Sequence, residues 1–213
     1  MGSASVAEFV THRPALVRRG ILLSYATIGY NSLEAIGSLI AGILAGSVAL
    51  VGFGFDSVIE VTASFAAQWR LRSDLDPNTR ENAEVWTRRI VGACFIGLAI
   101  YILYDATNTL WQRRAPDRSL LGIAILALSV IVMPLLARQK KSVARALASG
   151  ALEAEARQTS LCAYLSVIGL AGVLLNALIG WWWADPVAAL VMVPIIGKEG
   201  VEGIRARECC QIG

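Results

Sequence analysis

Six long apolar runs alternate with short charged blocks along the chain, at residues 21–44, 48–69, 90–110, 120–136, 159–179 and 183–196. Most approach the roughly 20 residues an α-helix needs to cross the hydrocarbon core of a bilayer. Backbone polar groups in lipid have to be satisfied within the segment itself, so each run is predicted as a helix. The fold class is all-α: an integral membrane bundle of six transmembrane helices. Ala45-Gly46-Ser47 leaves room only for a tight turn, so the first two helices are antiparallel neighbours. Within the connector at 70–89, Asp76-Pro77 is placed to start a helix, with Asp as cap and Pro at the first helical position. Asp185-Pro186 is placed in the same way to start the sixth helix. Pro134 is expected to bend or end the fourth, and Arg138-Gln139-Lys140-Lys141 after it reads as a cytoplasmic stop.

Composition sharpens the class. Hydrophobic residues make up 56% of the 213, charged residues only 16%, and mean hydropathy is +0.59, which excludes an ordinary soluble domain. The placement of the basic residues matters more than the net charge of +3. With the N terminus in the cytoplasm, the inside segments carry sixteen of the nineteen Lys and Arg, and the outside segments only Arg113, Arg114 and Arg118. Both termini are therefore predicted to be cytoplasmic. Residues 1–20 form a short basic lead, 21–204 the membrane domain, and 205–213 a short tail. The basic blocks flank apolar spans and fit topology, so no nucleic-acid partner is expected. No nucleophile–base pair or nucleotide-binding loop stands outside the spans, and the chain is not expected to be an enzyme. No removable signal peptide is evident, because the first run is long and carries Tyr30, Asn31 and Glu34. The four cysteines, Cys94, Cys162, Cys209 and Cys210, do not suggest a disulfide framework. The adjacent pair at 209 and 210 suits a soft metal, acylation or neither.

Polar residues inside the runs carry the candidate chemistry. Asp56 and Glu60 stand four residues apart in the second run and so share one helix face. Carboxylates in lipid are costly and read as functional by default. Gln158 and Cys162 have the same spacing at the start of the fifth run, and the two pairs are expected to face each other. Taken alone, a buried cysteine is a small hydrophobe more often than a ligand. Tyr30, Asn31 and Glu34 share a face of the first helix that should look into the bundle, for interhelical hydrogen bonding or for function with equal weight. Asp105 reads as an outer-vestibule carboxylate or as one merely solvated or capped near the outer interface, the second reading being preferred, Glu153 and Glu155 as a solvated first turn of the fifth helix, and Trp181, Trp182 and Trp183 as part of an aromatic belt. Counted from the ends of their runs, Asp56 and Cys162 lie at depths that differ by ~13 Å at about 1.5 Å per residue.

These residues, taken together, resemble the cation diffusion facilitator (cation efflux) family. The resemblance rests on Asn31-x-x-Glu34, Gly46-Ser47-x-Ala49-Leu50, Asp56-x-x-x-Glu60, Ala154-Glu155-Ala156-Arg157-Gln158-Thr159-x-x-Cys162 and Ala184-Asp185-Pro186-x-Ala188, and covers nearly the whole chain. It implies a secondary transporter in the cell membrane that exports a divalent metal, typically zinc, in exchange for protons, commonly as a homodimer. It implies no permanently bound cofactor. The family's transport site takes one i, i+4 pair from helix 2 and one from helix 5, which fall here on Asp56, Glu60, Gln158 and Cys162. The second pair departs from the family's usual His or Asp followed by Asp, and the one histidine, His12, is outside the spans. The family's usual C-terminal cytoplasmic domain does not fit in the residues after helix 6.

Two carboxylates, an amide oxygen and a thiolate can form a four-ligand site of the tetrahedral kind zinc prefers. The thiolate biases it toward zinc, cadmium or another soft ion and away from magnesium and calcium. Ligands bind metal only when deprotonated, so metal entry expels protons without any histidine. Beside this stands a second reading, a family-like membrane protein that binds a metal or a partner without turnover.

Overall fold

The structure, a computed structural model, describes residues 3–72, 77–147 and 150–205, and the side chains of 15–65, 86, 88–147 and 152–205. The expected cap Asp76, the pair Cys209 and Cys210, and the side chain of His12 lie outside the described residues. Six helices follow in order: α1 (Ser3–Ala45), α2 (Val48–Arg72), α3 (Pro77–Trp111), α4 (Leu120–Leu147), α5 (Gly150–Ile179) and α6 (Ala184–Arg205). The first five contain segments long and apolar enough to cross a membrane. α6, at 22 residues, has the length, but Asp185, Lys198 and Glu199 confine its uncharged stretch to residues 186–197.

The helices outrun the apolar stretches that predicted them. α1 begins at Ser3, inside the basic lead, and α5 at Gly150, well before its apolar run. Pro77 opens α3, as its fixed φ favours. Pro134 does not end α4: the helix passes through it and on through residues 138–141 to Leu147. Met133 and Ala137, on either side of the proline, are buried in the bundle. Packing on both sides holds the segment helical despite the missing amide donor.

Around the bundle the helices run in the order α1, α2, α3, α6, α5, α4, with α4 closing on α1 and α2 touching α5 across the middle. Leu50, Phe53, Ile102, Leu126, Leu165, Met192 and Ile196 fill the core where they meet. The surface is inverted relative to a water-soluble protein. On α1, Leu33, Ile36, Ile40, Ile43 and Leu44 point outward while Thr27, Asn31, Glu34 and Ser38 are buried. Lipid accepts the first set as readily as a core does, so the inward face is free to be polar. Trp181 and Trp183, both exposed, stack at 5.0 Å between ring centroids beside the α5–α6 turn. Asp105 is half-buried and takes a hydrogen bond from Tyr101 one turn away.

Two junctions fix the heights of the central helices. α1 ends on Gly46 at φ 64°, with the Ser47 amide donating to Gly42 O at 2.9 Å and the Gly46 amide to Ile43 O. Only glycine takes this left-handed cap at no steric cost. Ser47 then caps α2, accepting the Leu50 amide. At the α3–α6 contact, a Cβ on Gly92 would lie 2.7 Å from Gly200 O, and one on Gly203 would lie 2.9 Å from Gly92 Cα. Small residues here bring the two backbones together.

Candidate functional site

α2 carries Asp56 and Glu60 on its inward face, 4% and 1% exposed, and α5 places Cys162, 1% exposed, against them. Of the two pairs expected to face each other, Asp56 and Cys162 are brought together, and the apparent mismatch in their depths is resolved. Gly172 of α5 packs on Ala184 and Asp185, and Asp185 binds Ser47 and Val48 at the start of α2. Residue 172, not 179, is thus level with the outer end of α2. The last two turns of α5 project beyond that level, and the distances inward to Asp56 and Cys162 become comparable.

The contacts are specific. The Cys162 thiol donates to Glu34 Oε2 at 3.8 Å and lies beside the Asp56 carboxyl. Glu34, from α1, also accepts the Ser57 hydroxyl at 2.8 Å. Glu60 Oε1 accepts the Thr159 hydroxyl at 2.7 Å, so the direct bond from α5 to Glu60 comes from Thr159. Gln158, one turn inward of Cys162, is half-buried, with its Nε2 shielded and unbonded. Asn31 faces Glu60 without a hydrogen bond of normal geometry.

Several polar atoms here have no hydrogen-bond partner: Glu34 Oε1, Asp56 Oδ2, Glu60 Oε2, Ser129 Oγ, Gln158 Nε2 and both polar atoms of Asn31. Each such group costs about 1–3 kcal/mol when buried unsatisfied, and natural folds contain few of them. Among the described residues no three His, Cys, Asp or Glu side chains converge closely enough to hold a metal as they stand. Coordination would require side-chain rotation.

A second polar group adjoins the first on its inner side. Lys140, read from the sequence as part of a cytoplasmic stop, and Glu155, read as part of a solvated first turn, form a buried ion pair at 2.9 Å. Glu155 also accepts Ser24 at 3.0 Å and Ser64 at 3.3 Å, and the Lys140 ammonium reaches Thr159 Oγ1 at 3.0 Å. Their burial follows from the helical continuation of α4 and α5, which carries both residues into the bundle. One signal was available: opposite charges at nearly equal distances from the turn of a helical hairpin stand at the same height.

The long inward-facing helices and the ionisable groups buried among them define a multi-pass helical membrane protein. The chain belongs to the cation efflux family, whose cation efflux transmembrane domain matches residues 24–206. It is 28% identical over 174 residues to an uncharacterized transporter of Synechocystis sp., covering 78% of this chain and 56% of that protein. It is 26% identical over 204 residues to a cadmium, cobalt and zinc/H(+)-K(+) antiporter of Bacillus subtilis, covering 89% of this chain and 61% of that protein. The chain thus spans somewhat over half the length of these relatives.

Proposed function

We propose that this bundle exports a divalent transition or heavy metal cation, zinc or a softer ion such as cadmium, in exchange for protons. Asp56, Glu60, Gln158 and Cys162 are the groups that handle it, with Glu34 of α1 as a further oxygen donor. The observation that carries this reading is the set of unpartnered carboxylate oxygens on Glu34, Asp56 and Glu60, buried around the Cys162 thiol. Once the side chains rotate toward it, a single cation can satisfy these acceptors together, whereas an ordinary structural cluster would pair them internally.

Charge balance supports the same reading. Glu34, Asp56, Glu60 and Glu155 are all buried, and Lys140, paired with Glu155, is the one buried cation among the described residues. The remaining negative charge in a low-dielectric interior is neutralised either by protons or by a divalent cation. Metal arriving from the cytoplasm displaces protons from the carboxylates and the thiol, and protons returning from outside displace the metal. The sulfur favours zinc and cadmium over manganese or magnesium. The name of the Bacillus subtilis relative agrees with such an exchange. Homodimerisation belongs to the same proposal and is tested by cross-linking in the membrane.

The experiment is uptake by inverted vesicles under an imposed proton gradient, offered zinc, cadmium, cobalt and manganese in turn. The parent accumulates zinc or cadmium, and Asp56→Ala does not. Metal binding without Asp56-dependent flux favours a non-transporting relative instead.

A further inference from the structure

We propose that Lys140 is a tethered cation that competes with the transported metal for Glu60 and is held back from it by Glu155. The inference rests on the reading of Asp56, Glu60 and Cys162 as the metal site, and it assigns a role to residues outside that site.

The geometry is a three-step chain. Glu155 Oε1 meets Lys140 Nζ at 2.9 Å, Lys140 Nζ donates to Thr159 Oγ1 at 3.0 Å, and Thr159 Oγ1 donates to Glu60 Oε1 at 2.7 Å. A threonine hydroxyl has one proton to give and accepts the ammonium on its lone pair. Its alternative acceptor, Glu155 O, is farther, at 3.1 Å. The ammonium charge therefore reaches Glu60 through a single polarised hydroxyl. All four members are buried, Lys140 and Thr159 completely, so solvent screens little of the interaction.

The groups around Lys140 define what it can do. From α1 come Ser24, bonded to Glu155, and Glu34, deeper in the cluster. From α2 come Glu60, Ser64 and Asp56, and from α5 come Glu155, Thr159 and Cys162. Arg138 and Lys141, its neighbours on α4, are exposed, as is Arg19 of α1, which binds Gln139. Lys140 is thus a fixed positive charge with two carboxylate claimants, Glu155 directly and Glu60 through Thr159. Glu60 keeps its other oxygen, Oε2, unpartnered. A metal taken up there repels the ammonium toward Glu155. When the metal leaves, the ammonium again offsets the charge on Glu60. A resident competitor of this kind keeps the site from holding its cargo too tightly for release.

Opposed effects of the two partners separate this role from plain structural pairing. The full chain is purified in detergent and titrated with cobalt(II), whose thiolate charge-transfer absorption reports binding at Cys162, and zinc affinity is obtained by competition. Lys140→Gln and Glu155→Gln each keep hydrogen-bonding groups while removing one charge. K140Q is expected to bind at least about tenfold more tightly than the parent, because the competitor is gone. E155Q is expected to bind at least about tenfold more weakly, because the ammonium turns to Glu60. In the neutral pair K140Q/E155Q the two effects largely cancel, to within about threefold of the parent.

Each variant decides by its own sign, so the loss of one to misfolding leaves the others informative. Equal weakening in K140Q and E155Q, unchanged affinity in either, or a tenfold change in the pair overturns the proposal. Asp56→Ala is the control for the site itself. If it binds cobalt as the parent does, the assignment of the metal site fails and the role of Lys140 falls with it. If it abolishes binding while K140Q and E155Q move together, only the competing-cation role is refuted.

Discussion

Asp185, at the start of α6, accepts hydrogen bonds from the Ser47 hydroxyl at 2.5 Å and the Val48 amide at 3.0 Å, both at the start of α2. Its carboxylate therefore caps a neighbouring helix and not, as the Asp-Pro pattern suggested, its own. The amides at a helix N terminus attract negative charge wherever it comes from. This bond ties α6 to α2 and sets the height at which Asp56 meets α5.

Asp185→Ala is accordingly expected to destabilise the bundle by about 2–4 kcal/mol, the cost of leaving two buried donors without a charged acceptor. Asp185→Asn keeps one acceptor and is expected to lose about half as much. Thermal unfolding in detergent measures both. A loss below about 0.5 kcal/mol for the alanine variant contradicts the capping role.

The α3–α6 contact gives a steric test. A Cβ at Gly200 would sit 2.7 Å from Ile96 Cγ1 and 2.9 Å from Gly92 O, so Gly200→Leu is expected to force the helices apart at a cost of about 3 kcal/mol or more. Gly97 meets nothing within 4 Å. Gly97→Ala is expected to be neutral or stabilising by up to about 1 kcal/mol. Equal melting temperatures for the two variants contradict the packing described.

Much of the fold was legible because lipid leaves a strong imprint on sequence. The apolar runs marked the six helices, Gly46 marked the turn between α1 and α2, and the spacing of Asn31 and Glu34 marked the buried face of α1. What escaped was long-range. Lys140 read as part of a cytoplasmic stop and Glu155 as solvated because charge near an apolar boundary usually is, and only the hairpin geometry of α4 and α5 shows that they pair. Pro134 read as a bend or an end because its penalty is local while the compensating burial of Met133 and Ala137 is not. The candidate site was half legible. Asp56, Glu60 and Cys162 stood out as polar groups in lipid, but the direct bond from α5 to Glu60 comes from Thr159, which the sequence pattern did not place in the site. Small hydroxylated residues are common in membrane helices, and Thr159 gave no sign of its partner.

Selectivity is expected to follow the sulfur. Cys162→Ser preserves size but replaces a soft donor with a hard one, so cadmium affinity should fall at least about tenfold relative to manganese. Competition titrations in detergent read this ratio. A constant ratio means that the thiol does not touch the cargo.

Glu34 reaches Cys162 and Ser57 from α1 and keeps one oxygen unpartnered. Glu34→Gln retains the Ser57 hydrogen bond and removes a charge. It is expected to weaken zinc binding at least about tenfold with little change in thermal stability. A variant that unfolds more easily but binds zinc as before marks Glu34 as structural.

Proton exchange and metal transport meet in one measurement. Purified protein is reconstituted into liposomes with a pH dye inside, and zinc influx and proton efflux are recorded together for the parent and for Asp56→Asn. Proton-coupled export requires zinc movement with a matching counterflow of protons in the parent, and neither in the variant beyond the leak of empty liposomes. Zinc flux that persists in Asp56→Asn, or that runs without proton movement in the parent, contradicts it.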